Sequence, residues 1–178
     1  MEREDNAIVL DFLPHGYPLG KKMMPIVQAI GKESLVLLEL VPRRETNFEL
    51  NESVYIGPGK RDKIYYILGR LKREKLTEAA KNQLKEIIKE IVKEKESIYV
   101  KFFNESYAIN KRIHQIELLP GLGKKHMQEI LKQRQEKEFE SFEDMRKRVS
   151  NLPDPENAIN RRIFKELTEI ERYNLFIK

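Results

Sequence analysis

The sequence predicts an α+β protein in two parts: a small five-stranded β-barrel over residues 1–75 and an all-α domain over 106–178, joined by a long helix in 76–105. Three observations carry this expectation. Short runs rich in Val, Ile, Leu and Tyr, separated by turn residues, fill the first part. A single apolar stripe of helical period occupies the middle. Beyond it, helix-period segments alternate with turns that contain Pro and Gly.

The candidate strands span residues 7–13, 26–30, 34–41, 53–57 and 63–70. Gly31-Lys32-Glu33 predicts a hairpin between strands two and three, and Gly57-Pro58-Gly59 another between strands four and five. Five strands in so short a stretch fit an OB-like barrel, and a five-stranded SH3-like barrel fits the same count. In an OB-like barrel, ligands lie on strands two and three and between the loops joining strands one to two and four to five. Those loops hold Lys21 and Lys22, then Lys60, Arg61 and Lys63. His15, Tyr17, Tyr55 and Tyr65 could offer ring faces to bases. The competing reading makes the tyrosines core residues and the lysines solubilising loop residues. Arg43 and Arg44 read as surface turn residues.

Thr77 can cap a helix that runs to about Glu94, with Leu84, Ile87, Ile88, Ile91 and Val92 as its apolar stripe. Lys81, Lys85, Lys89 and Lys93 recur every fourth residue and could track a phosphate backbone. However, Glu78, Glu86 and Glu90 each precede a lysine by three positions, so the row reads as a solvated, self-neutralised face. Residues 97–103 also read as helix, with Phe102 and Phe103 packing onto the following domain.

The richest stretch is residues 118–125, Leu-Leu-Pro-Gly-Leu-Gly-Lys-Lys. Ile113, Ile116 and Leu119 before it, and Met127, Ile130 and Leu131 after it, have helical spacing. Gly121 and Gly123 can take positive φ at little cost, and Leu122 can turn back between the two helices. The amides of the turn and of the second helix's first turn would then face outward together, a natural anion site. Lys124 and Lys125 stand where a phosphate would lie. The segment resembles the helix-hairpin-helix motif of DNA- and RNA-binding proteins (apolar-x-x-apolar-Pro-Gly-apolar-Gly) over residues 116–130. It departs from that pattern at Met127, where a small residue is usual. The competing reading is a Gly-rich turn in an ordinary helical hairpin.

A weaker second copy follows. Ser141 and Asp144 have capping-box spacing, and Phe142, Met145 and Val149 share a face. The turn Leu152-Pro153-Asp154-Pro155 lacks glycines. A last helix from about Ala158 carries Ile159, Ile163, Phe164, Leu167 and Ile170, with Arg161 and Arg162 able to reach a phosphate. This copy reads as mostly structural.

Composition narrows the rest. Net charge is +5, with 13 basic and 11 acidic residues in 1–75, six of each in 76–105, and 15 and 12 in 106–178. So mild a bias leaves placement to carry any argument about polyanions. Absence of Cys excludes disulfides and thiolate metal sites. His15, His114 and His126 lack ligand spacing, so no metal or other cofactor is expected. No apolar run approaches the roughly 20 residues of a membrane span, and the charged start is unlike a signal peptide, so the expected location is cytoplasmic. The abundance of Lys and Glu is a thermophile-like trait. No P-loop, dinucleotide fingerprint or Ser-His-Asp order occurs. Some helix-hairpin-helix enzymes that excise bases carry an Asp beyond the hairpin, and Asp144 stands in that region. Its capping position explains it more simply, and those enzymes use a larger helical domain to hold a flipped base. The acidic run at Glu136, Glu138, Glu140, Glu143 and Asp144 spans a helix end and a helix start, which also suits the dipole.

Five stretches carry a resemblance that runs nearly end to end: residues 10–15 (Leu-Asp-Phe-Leu-Pro-His), 37–42 (Leu-Leu-Glu-Leu-Val-Pro), 54–64 with their Gly-Pro-Gly turn, 114–125 and 139–144. Through them the chain resembles the archaeal domain-of-unknown-function 655 family, predicted nucleic-acid-binding OB-fold proteins. The resemblance implies an archaeal, cytoplasmic protein with the two-part architecture and brings no catalytic residues. The function expected from the sequence is non-catalytic binding of nucleic acid, RNA favoured over DNA by analogy with small barrels that serve RNA-handling systems. An adaptor within a larger protein or ribonucleoprotein complex is the alternative, and a DNA repair-type enzyme stands third.

Overall fold

The computed structural model of the chain describes residues 3–178. In chain order the elements are β1 (Asn6–Leu13), β2 (Ile26–Gly31), β3 (Leu37–Pro42), β4 (Ser53–Tyr55), β5 (Ile64–Arg70), α1 (Glu78–Glu94), α2 (Glu96–Glu105), α3 (Lys124–Glu136), α4 (Phe142–Arg148) and α5 (Pro155–Thr168). Single 3-10 turns lie at Arg73–Lys75 and Gln115–Leu118. The chain divides into two compact units inside α1. The first comprises the residues up to Ile87 with Leu167–Ile170 and Phe176–Lys178; the second comprises Ile88–Glu166 with Glu171–Leu175.

The first unit is built on a curled antiparallel sheet of five strands in the order β4-β1-β2-β3-β5. The residues of its main cluster alternate along each strand, as one face of a sheet requires, and β2 and β3 are buried on their other face as well. Ala7 and Val9, Val27 and Ala29, and Leu38 and Leu40 are such pairs, joined by Val54, Ile56 and Ile64. Phe12 and Phe48 meet edge to face at 5.1 Å against that cluster. Placing β4 beside β1 makes the first four strands a Greek key, with β5 added along β3. The 57–59 turn is therefore not a hairpin. It carries the chain away from β4's place beside β1 to a strand on the far edge, whereas a meander would pair β4 with β5. β3 also begins later than its apolar run suggests, because Leu35 takes a left-handed φ of 55° within the β2–β3 turn.

α1 starts where polar groups anchor it to the sheet. The Thr77 hydroxyl accepts from the Ala80 amide at 3.0 Å, the predicted cap, and donates to Asp11 at 2.6 Å. Buried Gln28 on β2 accepts from the Thr77 amide and donates to the Lys75 carbonyl. The predicted stripe of Leu84, Ile87, Ile88, Ile91 and Val92 is buried throughout, and residues 97–103 are helical within α2.

In the second unit the apolar residues of α2, α4 and α5 form the interior, with Phe103, Phe142, Met145, Ile159 and Ile163 fully buried. Side chains stop helices here by supplying donors to open carbonyls. Arg134 donates to the carbonyls of Phe103 and Ser106 at the end of α2. Arg148 donates to those of Gln133 and Lys137 at the end of α3, with its guanidinium 4.6 Å from the Phe139 ring centre. α5 begins at Pro155, where proline's missing N–H costs nothing, rather than at Ala158. Ile170 lies past its end and is exposed.

Candidate nucleic-acid interface

The Gly-rich turn of residues 119–125 starts from a shorter arm than its spacing suggests. Before it stands one 3-10 turn, Gln115–Leu118, instead of a full helix. His114 and Glu117 close that turn reciprocally: the His114 Nδ1 accepts from the Ile116 amide at 3.1 Å, and Glu117 accepts from the His114 amide at 2.8 Å. Such a box replaces the missing turns of helix. Ile116 and Leu119 are buried, and so is Leu122, although only one α-helix, α3, adjoins the turn.

Gly121 has φ +83°, a conformation that a side chain would strain. Gly123 does not share it. It lies extended at φ −103° as the N-cap of α3, and a Cβ there would meet nothing within 4 Å. Its own amide donates to His126 Nδ1 at 3.4 Å. The amides of Lys124, Lys125 and His126 occupy the first turn of α3, where no intrahelical acceptor exists. Lys124 and Lys125 are exposed beside them, and no acidic side chain stands in that turn. The result is a local concentration of partial and full positive charge. Met127, at the position where a small residue is usual, is half-buried.

The second hairpin offers no comparable feature. Ser141 caps α4 by accepting from the Asp144 amide at 2.9 Å, but Asp144 answers the Glu140 amide instead of closing the box. That bond and the Arg148 guanidinium hold the Asp144 carboxyl below its ordinary range, so it is an ionised structural group. Arg162 cannot reach a phosphate, because its side chain is 4% exposed and is held by Glu166, Glu171 and the carbonyls of Leu118 and Tyr173. Arg161 is exposed.

In the first unit the structure separates the predicted loop residues into two groups. Lys21, Lys22 and Lys60 are exposed, as is His15. Arg61 and Lys63 are committed: the first donates to the Gly57 carbonyl at 2.8 Å, and the second pairs with Glu52 and donates to the Asn47 carbonyl. Two of the predicted ring faces are committed too. The Tyr17 hydroxyl donates to Glu39 at 3.0 Å, Lys75 sits 4.9 Å from its ring centre, and burial pushes its hydroxyl up to about 12. Tyr55 lies over the Gly57-Pro58-Gly59 turn and accepts from the Gly59 amide, so that a Cβ on Gly57 would run into the ring. Tyr65 stands 63% exposed on β5. Nothing in the sequence distinguishes it from Tyr17 and Tyr55, which are engaged.

Among the described residues, no group of three or more His, Asp or Glu could hold a metal ion, and no helix is long and apolar enough to cross a membrane.

The arrangement is that of an α+β protein with a curled half-barrel followed by a helical unit. The chain belongs to the family described as "Protein of unknown function (DUF655)", which it matches over residues 3–178. It is 44% identical over 177 residues to the uncharacterised protein MJ0038 of Methanocaldococcus jannaschii, covering 98% of this chain and 80% of the relative. It also resembles the crystal structure of Af1531 from Archaeoglobus fulgidus, a member of the same family, with a TM-score of 0.85 and 43% identity. That match covers 98% of this chain and all of the other. Both relatives are archaeal.

Proposed function

We propose that this protein binds nucleic acid without catalysis, gripping the phosphate backbone at the start of α3. The observation that carries the reading is the 119–125 turn. Gly121 in the left-handed region and buried Leu122 bring the open amides of α3 and two exposed lysines to one place. Oriented N–H groups and a helix dipole favour a phosphate there, and each lysine adds a full charge. The Pro-Gly-apolar-Gly-basic order supports reading this turn as a helix-hairpin-helix. In the first unit, the five-stranded sheet whose first four strands form a Greek key supports reading the half-barrel as OB-like, a partly open Greek-key barrel. RNA is favoured over DNA by analogy with such barrels.

A second reading is an adaptor that docks onto a protein complex, and fully exposed Leu19 with Met23 favours it. Titrating the chain with single- and double-stranded RNA and DNA at two salt concentrations separates the two. For each neutralised phosphate, backbone binding weakens by about 0.9 log units per tenfold rise in salt on duplex DNA and about 0.7 on single strands. Lys124→Ala with Lys125→Ala should flatten that slope by up to about two contacts. Binding whose slope ignores both lysines would move the contact elsewhere, and no binding at low salt would leave the adaptor.

A further inference from the structure

We propose that β5 is a base-stacking strip and that the nucleic acid it takes is single-stranded; this rests on the nucleic-acid reading above and names its ligand class. β5 pairs with β3 through two irregular steps. Pro42 and Val41 face Ile64 and Tyr66, so Tyr65 is an extra residue. Glu39 and Leu40 face Gly69 and Ile67, so Leu68 is another. A bulge leaves its extra residue outside the ladder and re-aims its side chain. Here both extra residues are large and apolar, and both point into solvent: Tyr65 is 63% exposed and Leu68 45%. Three positions separate them, about 10 Å along a strand.

Apolar groups in such positions are costly on a sheet edge. β5 ends the sheet, with no strand beyond it among the described residues. Edge strands are ordinarily blunted with charge, whereas this one carries the run Ile-Tyr-Tyr-Ile-Leu. The Tyr65 and Tyr66 rings meet edge to face at 5.4 Å, which steadies Tyr65 while leaving most of its surface open. The Tyr66 hydroxyl reaches Met24 of the β1–β2 loop at 3.7 Å, so that loop ends against the strip.

Charge indicates what covers it. The β1–β2 loop (14–25), the β4–β5 connection (56–63) and β5 with its exit (64–73) hold eight Lys or Arg and a single acid, Asp62, a net of +7. The remaining residues up to 75 hold five basic and ten acidic groups, a net of −5. The mild overall charge therefore hides an uneven distribution along the chain, which the Lys63–Glu52 pair crosses, and the apolar strip belongs to the positive segments. Rings flanked by cations suit a polyanion whose bases are free to stack. In a duplex the bases stack on one another, and their faces are closed to an outside ring.

The test uses the full chain, a labelled oligo-U and oligo-dT of about 12 nucleotides, within the usual range of site sizes, and duplexes of the same length. Tyr65→Ala should weaken single-strand binding by about tenfold, change duplex binding by less than about twofold, and leave the salt slope unaltered because no charge is lost. Tyr65→Phe should bind as the parent does, and Tyr65→Leu, which keeps apolar bulk without a ring, should lose as much as Tyr65→Ala. Single-strand affinity unchanged in both Tyr65→Ala and Tyr65→Leu overturns the strip while leaving the α3 grip intact, as does a parent that binds duplex alone. No binding to any nucleic acid at low salt overturns both. A defined protein ligand whose binding is lost in Tyr65→Ala, with single-strand affinity unchanged, makes the strip a protein-docking surface and ends the proposal.

Discussion

Arg162 and Glu166 stand one turn apart on α5, almost wholly buried, and what they hold is backbone. Arg162 donates to the Leu118 carbonyl just before the Gly-rich turn, and Glu166 accepts from the Leu175 amide at 2.6 Å. Arg162→Ala would break a buried ion pair and remove the donor to the Leu118 and Tyr173 carbonyls, which ordinarily costs about 3–5 kcal/mol. The variant should unfold at markedly lower urea, and Arg162→Met combined with Glu166→Leu should recover only part of the loss, because the Leu118 and Tyr173 carbonyls and the Leu175 amide still lose their partners. A small effect for Arg162→Ala would mean that water reaches the pair. Residue identity alone suggested a phosphate contact for Arg162, because an arginine on an amphipathic helix reads as surface. Its burial depends on residues 171–175 and Leu118, which sequence spacing does not bring together. Tyr17 went the same way, since its partner Glu39 lies on β3; Tyr55 meets Gly59 of the turn that directly follows its own strand, through a hydroxyl contact that residue type alone does not announce.

At the scale of elements, the apolar stripe of α1 and the Ser141 and Thr77 caps were legible because each is a short-range pattern. The partners of β4 and β5 were not, since a Gly-Pro-Gly turn reports where a chain bends and says nothing of which edge it joins. The bulges of β5 are likewise invisible in one strand, being mismatches between two. The 3-10 turn at Gln115–Leu118 carries a pH signature. Burial pushes the His114 imidazole below its ordinary 6.5, with nearby Arg134 adding to the effect and Glu117 opposing it. Its Nδ1 also serves as an acceptor, which requires that nitrogen to be unprotonated. The folded state therefore favours neutral His114, and the unfolded chain takes up a proton first as pH falls. Stability from this group is complete above the unfolded value and is lost as pH drops below about 6.5. Urea midpoints at pH 7.5 and 5.0 should show that loss, and His114→Asn should flatten it. Equal slopes in parent and variant would assign the dependence to other groups. Arg134 holds the end of α2: Arg134→Ala removes a donor from the carbonyls of Phe103 and Ser106 and should cost about 1–3 kcal/mol in urea unfolding.

For the whole molecule, the two parts of the account rest on different physics. The start of α3 offers amides and cations without a ring, so it should hold a backbone and ignore base identity. The β5 strip offers rings beside cations. Together they predict binding that weakens steeply with salt, although the net charge of the chain is only +5. The central claim is the grip at α3, and Gly123 tests it most directly. Its extended φ and open surroundings accept a side chain, so Gly123→Asp should fold with the carboxylate capping α3 and gain a few tenths of a kcal/mol. That same carboxylate would occupy the amides and repel the anion they are proposed to bind. Melting temperature and nucleic-acid affinity measured on the parent and Gly123→Asp should move in opposite directions, with stability retained or raised and binding weakened by about tenfold or more. A Gly123→Asp protein as stable as the parent that binds nucleic acid equally well would contradict the account.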